Sequence, residues 1–144
     1  MPSKQCLEEL ADDTKHCLVI LDDLMSKIVQ SEEMLHLFTI SSHHKGISVA
    51  YLSQNLYTQG KFAKTIALNS ANFVLFRNPN MRQILTFASQ ILPGQTRFFL
   101  DSYSKATKEM YSYLMVDLST HRNRDYMLRS GIFPGDTCIV YKPQ

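Results

Sequence analysis

The chain has 144 residues, 44% hydrophobic and 10% aromatic, with 5 glycines and 5 prolines. That composition excludes disordered, low-complexity and collagen-like classes; a compact fold of this length buries roughly 68–70% of its unfolded surface. Fifteen Lys+Arg against thirteen Asp+Glu leave +2, too little to be an electrostatic footprint for DNA by itself.

Three cysteines, Cys6, Cys17 and Cys138, lie far apart and lack CxxC spacing. This argues against a zinc site or a disulfide framework and fits a reducing compartment. The opening MPSKQCLEEL has no apolar stretch of the secretory type, and no apolar run approaches the ~18 residues of a membrane span. The expectation is one soluble intracellular domain over residues 1–144, cytoplasmic or nuclear, without membrane partners.

In chain order, residues 4–13 read as a short helix, with Cys6, Leu7 and Leu10 on one side. Five consecutive apolar residues, Cys17 to Leu21, then run into Asp22 and Asp23. A run of that length closing on acids predicts a strand buried on both faces, over 17–22. Ser31, followed by Glu32 and Glu33, marks a helix start, with acids where the helix dipole favours them. Met34, Leu35 and Phe38 continue that helix to about Ser42, and His43-His44-Lys45-Gly46 turns the chain. GISVAYLSQN, residues 46–55, predicts a second buried strand ending on amides.

Residues 61–68 read as a helix, and NFVLFRNPN, 72–80, as a third strand halted by Pro79. Ile84, Leu85, Ala88, Ile91 and Leu92 form a helical stripe that Pro93-Gly94 ends. Phe99, Leu100, Tyr103 and Ala106 predict another helix. SYLMVDL, 112–118, predicts a fourth strand. The polar stretch 119–131 leads through GIFPGD to a last strand, TCIVY, at 137–141. Strands alternating with helices argue for an α/β fold with a mainly parallel sheet flanked by helices.

The chemistry-bearing candidates stand at predicted strand ends. Open α/β sheets bind ligands beyond the carboxyl ends of their strands. Asp22 would hold magnesium through water while Asp23 orients or deprotonates the attacking water; alternatively the pair caps a helix beginning at Leu24. Gln54 could hydrogen-bond a γ-phosphate or that water, or simply end its strand as a satisfied amide. Arg77 could reach a phosphate on a neighbouring subunit, or serve as a surface ion-pair member. His43 and His44, with His36, match no standard metal-ligand spacing. Lys61, Lys64, Arg122, Arg124 and Arg129 are scattered, so they line a DNA pore or simply a solvated face.

Taken in order, these segments resemble the DNA-packaging ATPases of the FtsK–HerA superfamily, nearest to those of large DNA viruses and Polinton (Maverick)-type elements. The resemblance covers residues 15–136. Its carriers are the hydrophobic-DD strand, SSHHKGISVAYLSQN ending in Gln54, NSANFVLFRNPN and GIFPGD. It implies an incomplete P-loop NTPase (ASCE/RecA-like) core over 15–141 after an N-terminal extension, 1–14. It also implies that Asp22 anchors Mg2+ for ATP and Asp23 takes the catalytic acid position, where the wider superfamily often has glutamate. Gln54 falls at the sensor position. Family members form rings, usually hexamers, that pump double-stranded DNA into capsids, which implies a homo-oligomer or a ring with related subunits, DNA and capsid proteins as partners, and association with virions.

Two departures stand out: Lys45 replaces an arginine found in relatives, and no GxxxxGK[ST] loop occurs. Without that loop's N–H groups and lysine, little remains to cradle the β- and γ-phosphates. The expectation is therefore a fragment or remnant, the C-terminal part of such an ATPase, that does not hydrolyse ATP on its own. A non-enzymatic module that joins intact ATPase subunits is the alternative. A small metal-dependent hydrolase using Asp22, Asp23 and a histidine is the third.

Overall fold

The computed structural model describes residues 16–22, 30–41, 46–57, 59–119 and 123–143. The chain divides into two compact units, Met1–Ser70 and Ala71–Gln144.

In the first unit, β1 (Cys17–Leu21) pairs in parallel with β2 (Ile47–Tyr51), from Cys17↔Ile47 to Leu21↔Tyr51. Parallel neighbours need a crossover connection, and α1 (Glu32–His36) lies within it, running on into a π-helical turn at Leu37–Ser41. Ser31 caps α1 by accepting a hydrogen bond from the Met34 N–H at 3.3 Å, and Glu32 and Glu33 occupy the first turn. A short helix, α2 (Ala63–Leu68), follows β2. Leu21, Met34, Leu37, Phe38, Ile47 and Ile66 form the core, with Cys17, Val19, Val49, Tyr51 and Phe62 packed around it. All the core residues of β1 and β2 come from one face of the ladder. On the other face of β1, Leu18 and Ile20 are 62% and 60% exposed. The expectation of a strand buried on both faces is thus corrected: β1 is covered on one side only.

The second unit holds four strands: β3 (Asn72–Phe76), β4 (Tyr113–Asp117), β5 (Leu128–Ser130) and β6 (Ile139–Tyr141). They form a separate antiparallel sheet in that order. Between β3 and β4 run two amphipathic helices, α3 (Met81–Ile91) and α4 (Thr96–Ala106). Their inner faces carry Ile84, Phe87, Ala88, Phe99, Tyr103 and Ala106. Phe87 stacks edge-on between Phe73 of β3 and Phe99 of α4, at centroid distances of 5.0 and 5.8 Å. Leu114, Val116 and Leu128, each no more than 1% exposed, complete this core.

The expected mainly parallel sheet, an incomplete P-loop NTPase core, is therefore not the fold of this chain. A two-stranded parallel sheet and a four-stranded antiparallel sheet stand in its place. The reason is local. One helix between two strands returns the chain to run parallel, whereas two helices reverse it once more. Gly94, at φ +83°, makes that additional turn between α3 and α4. The links from β4 to β5 and from β5 to β6, residues 118–127 and 131–138, are shorter than the dozen or more residues a parallel crossover needs. Among the described residues, no helix is long and apolar enough to cross a membrane.

Candidate functional site

The last rung of the parallel ladder sets the site. The Leu52 N–H donates to the Leu21 carbonyl at 2.9 Å, carrying the pairing one step past Tyr51. Asp22 follows Leu21 directly and is exposed. Gln54 is also exposed, three positions after Tyr51, the register partner of Leu21. Both residues therefore leave the ladder at its carboxyl end. The Ser53 side chain shapes the turn that carries Gln54: its hydroxyl donates to the Asn55 carbonyl at 2.6 Å and accepts from the Asn55 N–H at 3.3 Å. Neither Asp22 nor Gln54 makes a side-chain hydrogen bond or ion pair among the described residues, so both are open to solvent ligands. Tyr57, further along the same connection, has its phenol pushed above the usual value by burial; it stays neutral near pH 7 and offers no base.

The other candidates are distributed differently. Asp23, His43 and His44 lie outside the described residues. His36 ends α1, half-buried. Arg77 belongs to the second unit, exposed just after β3. The Tyr103 hydroxyl brackets it, donating to the Phe76 carbonyl at 2.9 Å and accepting from the Asn78 N–H at 2.8 Å. The backbone at Arg77 is thereby tied to α4 while its guanidinium makes no ion pair among the described residues.

The basic residues separate into distinct roles. Lys61 pairs with Glu32 at 3.3 Å and sits over the Phe62 ring, 4.7 Å from its centroid. Lys64 and Arg124 are exposed, and Arg122 lies outside the described residues. Arg129 is neither a solvated charge nor a free DNA contact. It bonds the buried Asp117 carboxylate at 2.8 Å. Asp117 closes a hydrophobic strand, SYLMVDL, much as Asp22 does, and that likeness was the available signal for a second functional-looking acid. Here the acid is structural, for it also accepts from the Ser119 N–H and hydroxyl at 3.1 and 2.5 Å.

What the first-unit arrangement can do chemically is limited but specific. One open carboxylate can hold a hydrated magnesium ion, since Mg2+ keeps several waters and takes one or two carboxylates plus phosphate oxygens. One amide in the turn that follows the neighbouring strand can hydrogen-bond a phosphate or a water. Among the described residues, no cluster of three or more His, Cys, Asp or Glu could hold a metal ion by itself. Comparison with known proteins returns no matching family model, no matching curated protein and no matching solved structure.

Proposed function

We propose that this chain derives from DNA-packaging ATPases and associates with intact subunits of that kind without hydrolysing ATP itself. The observation that carries this reading is the parallel β1–β2 ladder, whose registered ends at Leu21 and Tyr51 release Asp22 and Gln54 at the same edge. A magnesium-anchoring acid and a water- or phosphate-sensing amide need that placement. Hydrolysis needs more than these two groups. No GxxxxGK[ST] segment is present in the sequence, so the nest of N–H groups and the lysine that neutralise the phosphates are missing.

A non-catalytic mode of action is favoured by one further feature. Parallel sheets are normally covered on both faces, yet Leu18 and Ile20 lie largely open on β1. An apolar strand face of this type is suited to association rather than to catalysis. The ring partners, double-stranded DNA and capsid proteins belong to the same proposal.

The test mixes the purified chain with an intact packaging ATPase. Co-migration in sedimentation, with a dose-dependent change in that enzyme's ATP turnover, is the expected result. The chain alone should turn over no ATP above buffer, and Asp22→Asn should leave its secondary structure unchanged. Robust magnesium-dependent hydrolysis by the chain alone would overturn the non-hydrolysing role. Failure to co-migrate at micromolar concentration would remove the association.

A further inference from the structure

The second unit carries a groove of about 430 Å3, within the size range of small-molecule sites. None of Asp22, Gln54 or Arg77 lines it, so a ligand held there would not depend on the strand-end acid and amide.

Two tight turns contribute to the lining. In the first, the Ser112 N–H and hydroxyl both donate to the Glu109 carbonyl, at 3.3 and 2.7 Å. This turn presents Met110 and Tyr111, which are 81% and 86% exposed. In the second, the Asp136 N–H donates to the Phe133 carbonyl at 3.0 Å across Pro134-Gly135. Gly135 has φ +93°, as the third position of such a turn requires. Phe133 is 63% exposed, yet its ring is fixed edge-on to Tyr113 at 5.7 Å.

Three observations converge on ligand binding. Large apolar side chains are exposed together around one concavity rather than scattered singly. Tyr111 is the non-glycine residue with positive φ, +62°, among the described residues, and strain of this kind gathers at ligand clamps. Three of the lining hydroxyls are engaged within the protein: Ser130 and Tyr141 bond each other at 3.1 Å, and Tyr113 accepts from the Ile132 N–H at 3.0 Å. Beside the Thr137 hydroxyl, aromatic surface and charge are what the groove offers a ligand.

The charge has a sign. Glu109 and Asp136 stand against Lys105 alone, which disfavours nucleotides and other phosphates. We propose that this groove binds an alkylated ammonium group, held over the Tyr111 and Phe133 rings by cation–π attraction and neutralised by Glu109 and Asp136. Choline-like small molecules and methylated lysine side chains share that chemistry.

The test titrates the full chain with tetramethylammonium and with neopentyl alcohol, its uncharged analogue, following the backbone and aromatic resonances of Tyr111 and Phe133 by NMR. Tetramethylammonium should give saturable shifts, and the alcohol should bind at least about threefold more weakly. Choline and a trimethyl-lysine peptide, run in parallel, separate the two sources by affinity. Tyr111→Gly removes a ring while suiting the turn's backbone, and should weaken tetramethylammonium binding about two- to fivefold. Glu109→Gln with Asp136→Asn should narrow the gap between the cation and the alcohol, leaving the part that the rings supply. Equal binding of the two probes to the unaltered chain, or no saturable shift from either ammonium probe in a folded sample, would overturn the proposal.

Discussion

Asp117 on β4 and Arg129 on β5 form an ion pair at 2.8 Å, with side chains only 4% and 15% exposed. They are not direct cross-strand neighbours: Arg129 is registered opposite Met115 and reaches Asp117 diagonally. The pair fixes where β5 sits along β4, since sliding by one residue would point Arg129 to the opposite face of the sheet. A buried pair contributes modestly when intact, but removing Arg129 takes the countercharge from a buried carboxylate that keeps its neutral donors at Ser119. Arg129→Leu should therefore destabilise the second unit by about 3 kcal/mol. Replacing Asp117 as well, by Leu, should recover part of that loss. Urea unfolding followed at β4 and β5 amides measures both; a single-variant loss below about 1 kcal/mol would show the pair to be dispensable.

Gly131 and Gly94 offer a controlled comparison. Both have positive φ, +63° and +83°, but their surroundings differ. A Cβ on Gly94 would meet nothing within 4 Å, whereas one on Gly131 would collide with the Thr137 carbonyl oxygen. Gly94→Ala should cost about 1–2 kcal/mol, the left-handed penalty alone. Gly131→Ala must also push back the chain leading into β6, so its melting temperature should fall further. Equal losses at the two sites would mean that the Thr137 segment yields freely.

Local elements were legible because each rests on a short-range signal. The apolar run at Cys17–Leu21 forms β1, Ser31 with two following glutamates caps α1, and the stripe from Ile84 to Ile91 lies in α3. Sheet partnership was not legible in the same way, because a strand such as NFVLF carries no mark of parallel or antiparallel pairing. Pro93-Gly94 did signal a break, but its consequence, a second helix that reverses β4, appears only when helices between strands are counted. β5 went unseen because it is three residues long and holds Arg129, whose charge is neutralised by a residue twelve positions away. At the candidate site, the position of Asp22 directly after β1 was readable from where the hydrophobic run stops, whereas Gln54, expected within a strand over 46–55, lies three residues beyond the end of β2 at Tyr51. Tyr111 left no trace in the sequence, for nothing about an ordinary tyrosine announces a left-handed backbone.

Tyr57 gives the first unit a pH signature. Partial burial, at a residue still 38% exposed, raises its phenol above the ordinary value of 10.0, so folding favours the neutral form. The sign comes from linkage: a raised folded-state value contributes stability that is complete below the unfolded value and is lost as pH rises through the folded one. Unfolding at neutral pH and at progressively alkaline pH should show a decline beginning above pH 10.0. Tyr57→Phe should flatten that limb. An unchanged alkaline limb in Tyr57→Phe would assign the decline to other groups.

Adjacent residues of β1 test how the parallel pair is covered. Leu21 is 4% exposed and belongs to the first-unit core, while its neighbour Ile20 is 60% exposed on the opposite face. Both begin as branched aliphatic side chains in the same short strand, so β-propensity and backbone pairing are nearly matched. Truncation then reports burial. Leu21→Ala should cost about 2–5 kcal/mol, the transfer and cavity terms of a filled core site. Ile20→Ala removes mostly solvated surface and should stay within about 1 kcal/mol. The two predictions diverge from those for a strand sandwiched between two layers, where both truncations would be severe. If Ile20→Ala proves as damaging as Leu21→Ala in the isolated chain, the outer face of β1 is covered after all. If it is mild alone but severe once an intact packaging-ATPase subunit is bound, that same face is where the partner packs.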